Sequence, residues 1–491
     1  MPRQQVEQPV LIEVEIGTSE QAPPVKRPVD KTFRRYVQDQ PMLLPPDLRD
    51  WVAVDHPARW VDDLVEHGLD LSGVYADYTE ARGGPPFDPR LMLKVLIYGY
   101  SHGVTSSRAL ERRCRDDVAF RFLTGDTCPD FVAIARFRTR HGAALKELFT
   151  QSLALCARAG LVSLGRVALD GTKVRADASR HRAMSYDRMV SSEGRLAAEV
   201  AGLLADAERV DAAEDAAYGA ASRGDELPAE LARRESRLAV IRAAKSALEA
   251  EHAAAAAEQA RAKAAGRGAD EEQAAAAGEA AAAGAVVPPK AQRSFTDPDA
   301  RIMKTSEGSF QYCYNGQAVV DEAHQVVLAG QLRQSGSDAP ALPDLLARLH
   351  AFLAAAGLRG CPDRLLADAG YFSAANVAAT TAAGIDPLIA TGRLRHGEVP
   401  PVAPPGPLPD GLTPKQQMAH KLRTEDGRTA YARRKAIVEP VFGQIQVAQN
   451  GDRLRLRGAV KADFEWFFHL ACHNLRKLRS SGWTPTQPAT A

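Results

Sequence analysis

Cysteine is scarce in this sequence, and its spacing excludes the usual cysteine-based scaffolds. There is no CxxC pair and no cysteine–histidine cluster at the spacing of metal ligands, which argues against structural zinc and against a disulfide framework. A reducing compartment is therefore expected. The six cysteines are Cys114, Cys128, Cys156, Cys313, Cys361 and Cys472.

Long apolar runs are also missing. No apolar stretch reaches the roughly 18 residues that a membrane-spanning helix needs. The N-terminal segment MPRQQVEQPVLIEVEIGTSE lacks the sustained apolar core of a signal peptide. We therefore expect a soluble, cytoplasmic protein that has no membrane partner.

The chain has no excess of charge of either sign. Lys plus Arg is 62 and Asp plus Glu is 61, so the formal net charge is +1. Any binding of a polyanion such as DNA must then come from local basic patches. The 491 residues, 45% of them apolar and 25% charged, have the composition of a globular protein and the length of two or three domains.

The first third of the sequence is dominated by helical patterns. Residues 1–40 are polar and contain proline, whereas residues 41–160 repeat apolar residues at helical spacing. Within this region the segment TGDTCP separates two shorter helical segments, and Asp130 stands at the expected N-cap of the second. This layout permits a helix-turn-helix.

The second of these helices carries a basic face. Arg136 and Arg140 are four residues apart and lie on one side of the helix. They either contact DNA phosphates or base edges, or form the solvated basic face of a surface helix.

An Ala-rich segment with alternating charges extends from about residue 190 to 285. Large apolar residues recur there at intervals of seven, three and seven, which predicts two or three long helices packed as a hairpin. The residues of this seam are Leu231, Leu238, Ile241 and Leu248.

Strand patterns follow the Ala-rich segment. QYCYNGQAVVDEAHQVVLAGQL predicts a β-hairpin with strands at about 310–320 and 325–332, joined by the turn DEAH. A helix, APALPDLLARLHAFLAAAGL, comes next, and IDPLIATG predicts a further buried strand.

Two phrases are built alike, and each places an aspartate after an apolar run. GRVALDGTK contains Asp170 followed by Gly171, and CPDRLLADAG contains Asp368. Each run predicts a buried strand that ends at its aspartate, where side chains of neighbouring strands can converge. Two adjacent carboxylates repel each other unless divalent cations compensate, which favours a Mg²⁺ site. Taken singly, each aspartate is better explained as a turn residue.

A third acidic candidate is Glu439 in YARRKAIVEPVFGQIQ. The segment predicts an amphipathic helix that kinks or begins at Pro440. The alternative is that Glu439 is a surface carboxylate paired with Lys435 or Arg434. The apolar positions with helical spacing are Ile437, Val441 and Ile445.

In this order, VALDGTK, LLADAGYFS and RRKAIVEPVFGQI resemble the three acidic motifs of the DDE transposases encoded by bacterial insertion sequences. LLPPDLRDWV, FDPRLMLKVLIYGYSHGVTSSRALE and DFVAIARFRTRH are similar to the helical N-terminal domain of one large branch of that family. The resemblance covers about residues 35–480. It implies an α/β protein: a ribonuclease H-like mixed-sheet catalytic core, interrupted by a long helical insertion and preceded by an all-α N-terminal domain.

The resemblance also implies a division of the chain. A flexible arm at 1–40 would precede a helical DNA-binding domain at 41–160. The catalytic domain would span 161–480, with the Ala-rich helical insertion at 180–308, and a disordered tail would follow at 481–491.

Transferred to this sequence, the resemblance makes Asp170, Asp368 and Glu439 the catalytic, metal-binding triad, with Mg²⁺ or Mn²⁺ as cofactor. It implies an enzyme that binds the terminal inverted repeats of its element, cleaves DNA by a two-metal mechanism and transfers the 3′-hydroxyl ends to target DNA. A homodimer acting at the nucleoid is expected. The alternatives are a DNA-binding relative without strand transfer, a metal-dependent nuclease, and a coiled-coil DNA-binding regulator with purely structural carboxylates.

Further DNA contacts are predicted around the triad and on basic segments. Many relatives have a Tyr and an Arg before the Glu, and a Lys seven positions after it. Tyr431 and Arg434 fill the first two roles, although Arg434 is one position further from the Glu than usual, and Gln446 stands in place of the lysine. The remaining candidates are Lys173, Arg136, Arg140, Arg393, Arg453 and Arg455, the last two in the basic segment DRLRLRG, which predicts extended chain.

Overall fold

The computed structural model describes residues 47–78, 85–179, 182–218, 229–305, 307–392, 400–404 and 411–485. The predicted arm at 1–40, the loop with Arg393 and most of the predicted tail lie outside these residues. The described residues from Leu48 onwards form one compact unit. In the described part of the chain, no helix is long and apolar enough to span a bilayer.

The N-terminal region is helical, and side chains cap its helices. Asp130 accepts hydrogen bonds from the N–H groups of Val132 and Ala133, as the sequence predicts. The 3₁₀ helix Leu48–Trp51 and the π-helix Leu64–Gly68 accompany the α-helices. The α-helices are α1 (Pro57–Asp63), α2 (Ser72–Ala76), α3 (Pro89–Ser101), α4 (Ser107–Asp116), α5 (Val118–Thr124), α6 (Phe131–Arg140) and α7 (Gly142–Arg158).

Further along the chain, eight strands are described. They are β1 (Arg166–Arg175), β2 (Ala183–Ser185), β3 (Gln292–Ser294), β4 (Arg301–Lys304), β5 (Phe310–Asp321), β6 (Val327–Arg333), β7 (Arg364–Ala367) and β8 (Asp386–Ile389). The predicted hairpin of β5 and β6 and the predicted strand β8 are confirmed.

Six of these strands form a mixed sheet. Its strand order is β4-β5-β1-β7-β8. Strand β6 pairs with the residues of β5 that follow those paired with β4. Strand β5 is antiparallel to β1 and to β6, whereas β7 is parallel to both β1 and β8. An antiparallel meander continued by parallel strands, with helices around it, is the α/β ribonuclease H-like arrangement, so the predicted fold class is confirmed.

The Ala-rich region forms the predicted helices between β2 and β3. Helix α8 (Tyr186–Tyr218) and helix α10 (Glu271–Ala283) both pack on helix α9 (Ala229–Ala265). Of the predicted seam, Leu238, Ile241 and Leu248 are buried against Met189 and Leu196 of α8. The side chain of Leu231 lies outside the described part.

The end of the insertion is connected to the main sheet. Strands β2 and β3 pair with each other in a small antiparallel sheet. Strand β4, which falls inside the range 180–308, pairs with β5 of the main sheet. Arg301 on β4 forms an ion pair with Glu251 of α9, which ties the long helices to the sheet.

The C-terminal helix α16 (Ala459–Ser480) connects the helical region to the sheet. It packs on both α7 and β6, and Trp466 and Phe467 are fully buried in this contact region. Asp299 accepts a hydrogen bond from the N–H of Ala459 and so caps the helix. The other helices of this half are α11 (Leu342–Ala355), α12 (Ala374–Ala382), α13 (Pro414–Arg423), α14 (Glu425–Ala432), α15 (Arg434–Gly443), the 3₁₀ helices Ala339–Ala341 and Ala369–Tyr371, and the π-helix Gln444–Ala448.

Candidate active site

Asp170 and Asp368 lie side by side at the edge where β1 and β7 stop pairing. Leu169 of β1 is in register with Ala367, the last residue of β7, and an aspartate follows each of them in the chain. The prediction that the first strand ends at Asp170 is wrong, because β1 continues to Arg175 along β5. Asp170 instead stands where the parallel neighbour of β1 ends. This is the edge at which side chains of an open α/β sheet can meet a ligand.

Gly171 is needed for space rather than for a turn. It continues β1 opposite Gln317 of β5, so no turn follows Asp170. A Cβ at this position would lie 3.0 Å from Asn315 Oδ1, 3.2 Å from Asp338 Oδ1 and 3.3 Å from the Tyr371 hydroxyl. A larger residue would therefore displace the polar groups gathered beside Asp170.

The carboxylate of Asp170 is partly buried, and its partners stabilise its negative charge only in part. Its Oδ1 accepts a hydrogen bond from the Gly171 N–H, and its Oδ2 one from Arg434 Nη1, both at 2.8 Å. Burial raises the pKa of Asp170 above its usual value. The Gly171 N–H and Arg434 oppose this rise, and the charge of Asp368 adds to it. The rise in pKa caused by burial is thus larger than the lowering caused by the ion pair, and an added cation would stabilise the charged carboxylate.

Asp368 directly follows β7 and caps the 3₁₀ helix Ala369–Tyr371. Its Oδ1 accepts a hydrogen bond from the N–H of Gly370 at 2.8 Å. The side chain is partly exposed, so the two aspartates share one accessible edge of the sheet.

Four polar residues around the pair were not predicted as site residues. Asn315 and Gln317 of β5 donate to Asp338 Oδ1 at 2.7 and 3.1 Å. Burial, together with the charges of Asp338, Asp170 and Asp368, raises the pKa of Tyr371 well above its usual value. Asn315 and Gln317 stand in the predicted hairpin and Tyr371 stands in LLADAGYFS, one of the phrases of the family resemblance, whereas Asp338 stands in SGSDAP, which shows only turn chemistry.

Glu439 occupies an exposed position on α15. The helix packs on β1 and β5, and the predicted apolar face is buried. Arg434 pairs with Asp170 rather than with Glu439. Among the described residues, no group of three or more His, Cys, Asp and Glu side chains could hold a metal ion. The structure therefore brings Asp170 and Asp368 together without adding Glu439 to them.

Pro440 lies inside α15 rather than at its start. Proline has no N–H to donate to the carbonyl of Ala436, one turn earlier. That carbonyl accepts a hydrogen bond from Gln325 Nε2 at 3.0 Å instead. Gln325 belongs to the β5–β6 turn, has a positive φ of 59° and accepts a hydrogen bond from Lys477 through its Oε1. The turn thus supports the helix that carries Glu439.

The predicted contacts nearest the aspartates lie along β1 and the end of β7. The Tyr431 hydroxyl donates to the carbonyl of Ala367 at 3.2 Å. Gln446 Nε2 donates to Thr172 Oγ1 at 2.6 Å. Lys173 Nζ donates to the Gly336 carbonyl at 3.2 Å. Tyr431 thus contacts the residue that precedes Asp368, and Gln446 contacts the second residue after Asp170.

The basic residues of α6 have different surroundings. Arg136 is exposed. Arg140 is exposed too, but it donates to the carbonyl of Asp77 and lies over the Tyr78 ring, 4.7 Å from its centroid. Arg138, between them in sequence, is buried and donates to the Tyr100 hydroxyl, so it belongs to the core.

The basic segment before α16 is extended, as predicted, and Arg453 forms a parallel bridge with Arg175 of β1. Arg453 and Arg457 both pair with Asp177. Arg455 donates to Thr105 Oγ1 at 3.2 Å. These arginines therefore also hold this segment to its surroundings.

Two family models match the chain. The model described as Transposase domain (DUF772) matches residues 46–140, and the model described as Transposase DDE domain matches residues 288–475. The second match includes Asp368 and Glu439, whereas Asp170 precedes it. No curated protein and no solved structure matches the chain.

Proposed function

The chain belongs to the DDE-type transposases of insertion sequences, and from this premise we propose that it cleaves the ends of its element and transfers them to target DNA. The observation that supports this most directly is the register of Leu169 with Ala367, which places Asp170 beside Asp368. Two adjacent carboxylates at an accessible sheet edge are suited to phosphoryl transfer with divalent cations.

We propose that Mg²⁺ or Mn²⁺ binds at Asp170 and Asp368, with Glu439 as a third ligand. The donor chemistry fits, since carboxylate oxygens are the ligands that these hard cations prefer, and burial raises the pKa of Asp170 in the absence of further positive charge. A pair of such ions would act as Lewis acids on the phosphodiester and on the attacking hydroxyl. Glu439 is exposed on α15, the helix that also carries Arg434, the ion-pair partner of Asp170.

The residues around the pair would position the DNA strand. Arg434 orients Asp170 through their ion pair. We assign Lys173, Tyr431 and Gln446 to contacts with the strand that is cut, because they lie along β1 or the end of β7. Lysine, amide and phenol groups all donate hydrogen bonds that a phosphate can accept.

DNA further from the cut would be held by basic residues on other surfaces. We propose the helical region 41–160 as a DNA-binding domain and 161–480 as the catalytic domain, flanked by an arm at 1–40 and a tail at 481–491. A homodimer would hold two element ends at the nucleoid, in the cytoplasm. The proposed contacts are Arg136, Arg140, Arg393, Arg453 and Arg455.

A strand-transfer assay tests the proposal. The protein is incubated with Mg²⁺, a target plasmid and linear DNA that carries the inverted repeats flanking its reading frame. We expect joined products from the wild type and none from Asp170→Asn or Asp368→Asn. Asp344→Asn is the matched control, since Asp344 is an exposed residue of α11 that pairs with Arg333.

Other outcomes of this assay distinguish the alternative functions. Cleavage without joining would identify a nuclease. DNA binding with neither reaction would identify a DNA-binding relative. Full activity in Asp170→Asn would contradict the assigned site.

A further inference from the structure

A cavity of about 390 Å³ lies between the start of α4 and the segment that follows the π-helix Gln444–Ala448. Thr105, Ser106 and Arg112 line it from the α4 side, within the match to the Transposase domain (DUF772). Asn450 and Arg455 line it from the other side, within the match to the Transposase DDE domain. The cavity is therefore complete only where these two parts of the chain meet.

The side chains that line this cavity are rich in hydrogen-bond donors that have no acceptor. Thr105 is only 1% exposed, and its hydroxyl accepts a hydrogen bond from Arg455 Nε at 3.2 Å but donates to no described residue. Ser106 stands at the N-cap of α4, yet its side chain forms no capping hydrogen bond. Arg112 has neither an ion pair nor a hydrogen bond within the described part of the chain. Such a set of donors suits a ligand whose atoms accept hydrogen bonds.

The α4 end of the cavity also favours negative charge. The first N–H groups of a helix have no carbonyl partner within the helix, and the helix dipole adds partial positive charge there. Arg112 follows Ser106 by six residues, which is about 9 Å along the helix axis. Its side chain leans towards the N-terminus of the helix, as helical side chains do. The free guanidinium and the helix terminus thus act on the same end of the cavity.

The other charged groups of the cavity do not cancel this effect. Arg113 also lines the cavity, and it pairs with Asp117 at 3.3 Å. Among the described lining residues the one carboxylate is that of Asp116, ten residues and about 15 Å along the helix axis from Ser106. An anion beside Ser106 is therefore far from the one negative charge.

The position of the cavity relative to the aspartate pair favours DNA as the source of this anion. Arg453, two residues before Arg455, forms a parallel bridge with Arg175 of β1. Arg175 follows Asp170 by five residues, which is about 17 Å along a strand. A DNA duplex advances about 34 Å per turn, so this distance corresponds to about half a turn. A duplex whose cleaved bond lies at Asp170 can thus place a backbone phosphate at the cavity.

We propose that this cavity binds one backbone phosphate of the element's end, about half a turn of DNA from the bond that is cut. Thr105, Ser106 and the first N–H groups of α4 donate to the phosphate oxygens. Arg112 and Arg455 pair with the charge of the phosphate. This inference rests on the proposed function, since it takes the ligand to be the DNA that is cut at the aspartates. It gives the two matched parts of the chain a shared contact with that DNA.

Titration of the full chain with a fluorescent duplex that carries the inverted repeat, without divalent cations, tests the inference. Arg112→Met removes the charge and keeps an unbranched side chain. We expect it to weaken binding about tenfold and to lower the slope of log affinity against log salt concentration by about one, as loss of one phosphate contact should. Arg115→Met is the matched control, because Arg115 is an exposed arginine of α4 that pairs with Glu111. It should keep the wild-type affinity and slope.

Single methylphosphonate linkages, which carry no charge, locate the phosphate in the same duplex. In the wild type, one such linkage about half a turn from the cut bond should weaken binding. In Arg112→Met the same linkage should weaken binding much less, because the charge that it removes has already lost its partner. In Arg115→Met the full effect of the linkage should remain.

Ser106→Asp separates loss of the phosphate site from loss of the fold. Aspartate is a favourable N-cap residue, and its charge is stabilising at a helix N-terminus, so the Tm should be at least that of the wild type. The added carboxylate would repel a phosphate at the same place, so the affinity for the duplex should fall. A weaker affinity in a protein of unchanged or higher Tm supports the inference.

The remaining outcomes distinguish this inference from the proposed function. If Arg112→Met and Ser106→Asp bind the duplex like the wild type, the phosphate site is wrong, while loss of joined products in Asp170→Asn would still support the proposed function. If the wild type does not bind the duplex, both are wrong. If inorganic phosphate raises the Tm of the wild type but not that of Arg112→Met, and both proteins bind the duplex equally, the cavity takes a free anion and its assignment to DNA is wrong.

Discussion

Arg434 of α15 and Asp170 of β1 form an ion pair with an Nη1–Oδ2 distance of 2.8 Å. The two side chains are only 10% and 22% exposed, so water screens the pair weakly. In the protein alone, the guanidinium supplies positive charge at the carboxylate where we propose that a divalent cation binds. Arginine and cation thus compete for, or share, the same carboxylate.

Replacing Arg434 by Met should destabilise the protein and increase the stabilising effect of Mn²⁺. Loss of one partner leaves Asp170 partly buried without its counter-ion, which costs about 3 kcal/mol. Mn²⁺ can then restore the missing charge, so the rise in Tm on addition of Mn²⁺ should be larger in the variant than in the wild type. Differential scanning calorimetry measures both quantities.

The adjacent arginine provides the control. Arg433 pairs with Glu322, and its side chain is 57% exposed. Arg433→Met should cost less than about 1 kcal/mol and leave the Mn²⁺ effect unchanged. An equal Mn²⁺ effect in Arg434→Met and in the wild type would contradict the shared use of Asp170.

The hydrogen bond from Gln325 to the Ala436 carbonyl should contribute to stability mainly because Pro440 has no N–H to donate to that carbonyl. Gln325→Asn keeps a residue that tolerates the positive φ but is too short to reach the carbonyl, so it should destabilise by about 1–2 kcal/mol. In a Pro440→Ala background, the N–H of residue 440 can donate a hydrogen bond to the Ala436 carbonyl. Gln325→Asn should then lower the free energy of unfolding by less. A double-mutant cycle measured by urea unfolding should give a coupling of about 1 kcal/mol. Strict additivity would refute this account.

The aspartate pair could be predicted from sequence because its signal is local. A run of apolar residues that stops at a carboxylate is visible in the chain, and the pattern occurs at both Asp170 and Asp368. The end of β1 could not be predicted, since Gly171 suggests a turn. The strand continues because β5 extends further along β1 than β7 does, which is a property of the sheet.

Asp338, in contrast, could not be recognised from the sequence. It stands after a strand in a turn-like phrase, and nothing in that phrase distinguishes a structural aspartate from a site residue. Its carboxylate is held in position by the side-chain amides of Asn315 and Gln317 on β5, which donate hydrogen bonds to it. The burial of Arg138 could not be recognised from the sequence either. It stands among exposed arginines in the sequence, but its guanidinium binds Tyr100 in the core.

Glu465 of α16 should be essential for stability because it joins three parts of the chain. Its carboxylate is buried and accepts hydrogen bonds from the Tyr100 hydroxyl at 2.8 Å and from the N–H groups of Arg455 and Leu456 at 2.7 and 2.8 Å. Glu465→Gln would place an amide N–H₂ against these donors, at a cost of about 2 kcal/mol or more. Urea unfolding measures the loss. Glu279→Gln, on the exposed face of α10, should change the midpoint little, and an equal loss in both variants would contradict the specific role of Glu465.

Stability should fall as the pH drops from about 6.5 towards 4, in part because of two buried histidines of α16. Burial lowers the pKa of His473 to about 4 and that of His469 to about 3, and nearby Lys477 and Arg476 lower that of His473 further. Between the ordinary pKa of about 6.5 and these values the unfolded chain binds protons that the folded chain does not. Each histidine should then contribute a slope of up to about 1.4 kcal/mol per pH unit.

His473→Gln isolates one of these contributions. Glutamine retains an N–H donor for the Gln325 carbonyl, which His473 Nε2 now contacts at 2.9 Å, but it does not titrate. The slope of unfolding free energy against pH between 6 and 4.5 should therefore become shallower than in the wild type. His324→Gln, in the exposed β5–β6 turn, should keep the wild-type slope, because this side chain is in contact with water in the folded protein as it is in the unfolded chain. An unchanged slope in His473→Gln would mean that His473 takes up its proton in the folded protein as readily as in the unfolded chain.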